Sequence, residues 1–120
     1  MSLETTSQGV IEAVKQKIPI AQQRSAPAAT DYFEAVLSHQ DLQACYGLLS
    51  EQLGAPPKEF GKSAKFESKI QKAVDRLGGI RLEQCLFLKT VEPQRVIYAA
   101  LWPWASDATR VTLKIGVLQT

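Results

Sequence analysis

The sequence predicts an α+β domain of three to four helices followed by a three-stranded antiparallel meander, with the helices packed on one sheet face. Three observations predict it. Apolar residues recur at helical spacing up to Gly78-Gly79 and at a spacing of two beyond it. The helical block precedes the strand block without alternating with it, and the joints between strands are short. The chain has 120 residues, 45% of them hydrophobic and 22% charged. That is enough for one core without a metal or disulfide staple.

Val10, Ile11, Val14 and Ile18 form a narrow apolar stripe at helical spacing. Pro19 ends it, because proline lacks an amide hydrogen and disfavours helix in the residue before it. Residues 19–29 carry no period and read as a linker. Residues 1–29 are therefore expected to form a helical arm and linker, ahead of a single α+β domain over 30–120. A helix is expected from Thr30 or Asp31, with Glu34 three residues after Asp31 as in a capping box, and with Phe33, Val36 and Leu37 on one face. The step of five from Leu37 to Leu42 breaks that face, and Ser38-His39-Gln40-Asp41 supplies a turn with Asp41 as the next cap.

The helix that follows carries Leu42, Cys45, Tyr46, Leu49 and Leu53, and stops at Gly54 ahead of Pro56-Pro57. A third helical region is expected from about Pro57 to Leu77, broken at Gly61 and recapped at Ser63. Its face is Phe66, Ile70, Ala73, Val74 and Leu77, and Gly78-Gly79 ends it. Then Ile80, Leu82, Leu86 and Leu88 alternate with Arg81, Glu83, Cys85, Phe87 and Lys89. Val96 to Trp102 is apolar at successive positions, the pattern of a strand covered on two sides. Val111, Leu113, Ile115 and Val117 alternate to finish. Residues 92–95 and 103–108 read as turns.

Composition narrows the function classes. Lys plus Arg number 14 against 12 for Asp plus Glu, a net charge of +2, too balanced to mark a nucleic-acid binder by charge alone. No apolar run approaches the roughly 20 residues of a membrane span. Cys45 and Cys85 are too few for a disulfide scaffold or a Cys-ligated zinc site; they read as structural free thiols, with a single pairing as the alternative in an exported protein. Met1-Ser2-Leu3-Glu4 has neither a basic n-region nor an apolar h-region, so a cytoplasmic protein is expected. An exported protein, with Met1-Ser2-Leu3 in place of a removed leader, is the alternative. His39 is the sole histidine and the glycines assemble no phosphate loop, so no metal or cofactor is expected.

The expected inner sheet face (Ile80, Leu82, Leu86, Leu88, Val111, Leu113, Ile115 and Val117) holds no group that titrates, and Glu83 falls on the opposite face with Arg81 and Lys89. A non-catalytic binding domain follows. Its ligand would be a small apolar molecule or a partner protein, held between helices and sheet beside Tyr32, Phe33, Tyr46, Gln84, Tyr98 and Trp102. One alternative is an isomerase- or hydrolase-type enzyme using His39 or a cavity carboxylate. Another is an accessory protein contacting nucleic acid or an acidic partner. Lys58, Lys62, Lys65, Lys69, Lys72 and Arg76, at spacings of 4, 3, 4, 3 and 4, would line one helix face for that purpose.

The stretches Tyr32-Phe33-Glu34-Ala35-Val36-Leu37, Ser38-His39-Gln40-Asp41-Leu42 and Tyr46-Gly47-Leu48-Leu49-Ser50, with Leu77-Gly78 before a run of strands, carry a recognisable cadence. Over residues 30–118 the chain resembles the nuclear-transport-factor-two-like (cystatin-like, cone-shaped α+β) superfamily, among them small bacterial members of unknown function. The resemblance implies an aromatic-rich first helix and a cavity between helices and sheet. Acid–base carboxylates project from the inner sheet face of the enzymes in that superfamily, and this chain lacks them there. The resemblance also implies a homodimer through the outer sheet face, where Phe87, Trp104 and Leu118 are the interface candidates. The chain departs from the larger members in having no strand between its second and third helices.

Overall fold

The apolar spacing of Val10, Ile11, Val14 and Ile18 produces helix α1 (Ser7–Lys17), which Ile18 closes by donating to the Val14 carbonyl at 2.8 Å. The structure is a computed structural model and describes residues 7–23, 33–76, 79–92 and 95–119. The expected cap at Thr30 or Asp31, Tyr32, Leu77-Gly78 and Pro93-Gln94 lie outside these residues. All four apolar side chains of the α1 stripe are buried in the same core as the sheet, so α1 is part of the domain rather than an arm ahead of it. The two-residue strand β1 (Gln22–Gln23) then pairs with the next element.

That element corrects the expected second helix. Phe33–Ser38 is a strand, β2, antiparallel to both β1 and the last strand of the chain. Phe33, Ala35 and Leu37 face the core, a period of two. Phe33, Val36 and Leu37 fit a period of 3.6 as well, and six residues are too few to separate the two. Pairing with Val111–Ile115, far off in sequence, makes the choice.

A 3-10 turn (His39–Asp41) leads into α2 (Leu42–Leu53), which buries Cys45, Leu48, Leu49 and Leu53. Asp41 is its N-cap residue but makes no side-chain capping bond, unlike the expectation. Gly54 ends α2 at φ 84°, in the left-handed region that favours glycine, and donates to the Ser50 carbonyl at 2.8 Å. The long third helix does not form. Residues 57–67 are irregular, and α3 spans only Ser68–Arg76, with Ala73 and Val74 buried. Three strands then follow: β3 (Cys85–Glu92), β4 (Arg95–Pro103) and β5 (Arg110–Gln119).

The sheet order is β1-β2-β5-β4-β3, antiparallel throughout, so four full strands and the short β1 replace the three-stranded meander. The α+β class stands. The helices, however, lie on both faces. On one face α1 and α2 cover Phe33, Ala35, Leu37, Cys85, Phe87, Ile97, Leu101, Leu113 and Ile115. On the other, Ala73 and Val74 of α3 pack with Leu86, Val96, Tyr98, Ala100 and Leu118. Val96 through Leu101 are buried at every position, as the two-sided apolar pattern of that strand predicts. The expected inner face mixed two sides: Cys85 pairs with Leu101 and Leu101 with Leu113, so Leu86 and Leu88 point away from Leu113.

Candidate functional site

Pro56-Pro57 stops α2 from continuing, and the chain then runs alongside the start of β3. Lys58 donates to the Leu86 carbonyl at 3.4 Å and accepts from the Leu86 amide at 2.9 Å, a single antiparallel bridge. This seats the Lys58 side chain in the interior, 2% exposed. Its Nζ donates to the carbonyls of Glu59 (2.5 Å), Leu82 (2.9 Å) and Gln84 (2.6 Å). Burial pulls the Lys58 ammonium below the usual lysine range, with nearby acidic groups opposing that shift. The three carbonyls use all three of its donors.

Beside it, the Tyr46 hydroxyl donates to Glu59 Oε1. That bond raises the Tyr46 phenol from 10.0 to about 12, with burial and the Glu59 charge adding to it. The Tyr46 ring meets Phe87 edge-on at 5.3 Å between centroids and a tilted Phe60 at 6.4 Å. Burial raises the Cys85 and Cys45 thiols from 9.0 to about 12, and both are free. At Gly61, φ 74°, the chain turns back and donates to the Leu82 carbonyl at 2.7 Å. Above this cluster lies a groove of about 420 Å³, lined by Leu42, Gln43, Tyr46, Gly47 and Phe60.

The expected cleft does not assemble. Phe33 is buried between α1 and the sheet, and Lys15 Nζ stands 5.4 Å from its ring centroid. Tyr46 lies at the groove. Gln84 accepts the Arg81 amide at 2.8 Å and shapes the turn before β3. Tyr98 and Trp102 are on the opposite sheet face. The Tyr98 ring lies over Gly116, the Trp102 Nε1 is buried without a partner, and Lys114 Nζ sits 3.8 Å from the Trp102 ring centroid.

The interface candidates separate too. Phe87 is 0% and Leu118 5% exposed, on opposite faces of the sheet, so neither presents an outer surface. Trp104 is half-buried, donating to Thr112 Oγ1 at 2.7 Å. Lys58 drops out of the basic stripe because it is buried. Lys62 and Lys65 precede α3 on irregular chain, which leaves only Lys69, Lys72 and Arg76 on that helix. His39 and Glu83 are exposed, and the His39 amide donates to the Thr109 carbonyl at 2.7 Å. Among the described residues no His, Cys, Asp and Glu side chains group to hold a metal ion, and no helix is long and apolar enough to cross a membrane.

The sequence reading missed Leu42 and Phe60 as groove walls, Gly47 as its open flank, and Glu59 as the partner of Tyr46. A helical glycine on an otherwise regular face was the one local signal, since glycine costs about 1 kcal/mol relative to alanine there. Protein-family models, characterised proteins and solved structures include no match to this chain.

Proposed function

We propose that this is a non-catalytic interaction domain whose groove between α2 and residues 57–61 takes an apolar segment of a partner protein. The groove itself carries the reading: aliphatic and aromatic walls from Leu42, Tyr46 and Phe60 surround an open flank at Gly47, where nothing lies within 4 Å of a side chain's first carbon. Such a flank lets another backbone approach closely. Leu82, whose carbonyl accepts the amide of Gly61 next to Phe60, is 57% exposed.

A polypeptide is favoured over a small apolar molecule because the helix–sheet space that would enclose such a molecule is filled by core side chains. Of the charged groups beside the groove, Glu59 is bonded by Tyr46 and Lys58 by three carbonyls. The aromatic-rich first helix that the family resemblance implies is here strand β2.

A photo-crosslinking side chain at Gln43, with one at Gln16 on α1 as control, tests the proposal in the native cell. One defined protein adduct from Gln43 alone, lost when Gly47→Trp fills the groove, is the expected result. Equal adducts from both positions, or a small apolar molecule retained by the purified protein and displaced by Gly47→Trp, would overturn it.

A further inference from the structure

We propose that the outer edge of β3 accepts an extended segment of a partner protein, one in which apolar and acidic residues alternate, as an added strand. The inference goes beyond the α2 groove and rests on different elements. Leu86 exchanges both backbone bonds with Lys58, so its polar groups point away from β4. Alternation along the strand aims those of Leu88 and Thr90 the same way. The ladder stops after one bridge, where Pro56, next in register opposite Leu88, has no amide hydrogen to donate. Among the described residues, the outward groups of Leu88 and Thr90 meet no backbone partner.

Beside this edge runs a groove of about 430 Å³, walled by Phe66 and Ile70 from the α3 side, by Leu88 and Val96 from the sheet, and by Ala55 and Pro57 at the end nearer the Lys58 bridge. A strand added to β3 would place every second side chain over that groove, and the alternate ones on the Lys89 side of the sheet. Backbone bonds supply affinity, and the groove selects apolar residues at alternate positions.

Charge selects the occupant. Lys65 lines the groove and Lys89 stands exposed on the strand itself. Glu67, the acid among the lining residues, lies 3.9 Å from Lys69 Nζ. A second copy paired edge to edge about a two-fold axis would bring the Lys65 and Lys89 regions toward their own counterparts. Like charges so placed repel, and lysine on an edge strand is a common guard against self-pairing. An acidic segment gains from the same charges.

Capped heptapeptides alternating valine or isoleucine with glutamate, titrated against the full isotope-labelled chain, test this. The expected result is saturable binding with Kd below about 1 mM and amide shifts centred on Leu88 and Thr90. N-methylating the amides along one edge of the peptide should cost about tenfold in affinity, and methylating the other edge should not, because only one edge bonds to β3. Peptides with lysine in place of glutamate, and the Lys65→Glu plus Lys89→Glu variant with the acidic peptides, should each bind about tenfold more weakly. Gly47→Trp should leave the binding unchanged, which separates this site from the α2 groove. Absence of saturable binding, equal loss from methylating either edge, or a β3-mediated dimer that excludes the peptide would overturn the proposal.

Discussion

Lys58 places a charge where a pattern of surface lysines would not. Each of its three donors meets a carbonyl from a different residue, so one side chain ties residues 58–59 to the turn before β3. Lys58→Met keeps the apolar stem but takes the side-chain donor from the Glu59 and Gln84 carbonyls, while the Leu82 carbonyl keeps the Gly61 amide. The expected loss is about 3 kcal/mol in urea unfolding, since each unmet buried group costs about 1–3 kcal/mol and some will relax toward water. Lys58→Arg should recover little, because a planar guanidinium does not match three carbonyls converging on one point. Gly116 is a second single-residue constraint. A carbon added there would lie 2.8 Å from Tyr98 Cε1 and 2.9 Å from its hydroxyl oxygen, while Tyr98 is 3% exposed and has little room to move. Gly116→Ala should therefore cost about 1–3 kcal/mol. Adding Tyr98→Leu should cost less than the two single effects combined, because the clash is gone. Neither role was legible locally. Lys58 shares its spacing with exposed lysines, and Gly116 sits in an alternating strand like any other residue.

At the scale of elements, α1, α2, β3 and β5 were legible because each carries enough apolar positions to define a period, and β4 because its apolar run is unbroken. β2 and α3 were not. Six residues of β2 satisfy two periods, and pairing with β5 decides between them. The expected third helix loses its first half because the Lys58–Leu86 bridge and the turn at Gly61 hold that segment against β3. Shortening the helix also breaks the lysine stripe. The exposed glycine within α2 gives an element-level test. Nothing lies within 4 Å of the added carbon at Gly47, so Gly47→Ala should stabilise the protein by about 0.5–1 kcal/mol, read as a rise in Tm. A gain of that size would mean the helix carries glycine at a cost to its own stability, as the open flank of the groove requires.

Across the whole molecule, three weak acids make stability fall as pH rises into the alkaline range, and Lys58, whose ammonium is pulled down by burial, opposes them. Cys45 and Cys85 rise from 9.0 to about 12 on folding, and Tyr46 from 10.0 to about 12. Below pH 9 both folded and unfolded chains hold these protons, and the stabilisation is fully present. Between pH 9 and 12 the unfolded chain releases them first, so stability falls as pH rises. Urea midpoints should decline steadily over that range, and Cys85→Ala should make the decline shallower. The same burial should keep both thiols unreactive toward a disulfide reagent at neutral pH until denaturant is added.

Taken alone, the sequence determined the α+β class, the helix ends marked by Pro19 and Gly54, and a β4 buried on both sides. These follow from contacts within a few residues: the side-chain period, a missing amide hydrogen, a permitted positive φ. Tertiary structure alone decided that β2 is a strand, that helices cover both faces, and that Lys58 is interior while Tyr98 and Trp102 lie across the sheet from Tyr46. Those outcomes depend on which distant segment supplies the hydrogen bonds and the covering surface, and no local spacing specifies that partner.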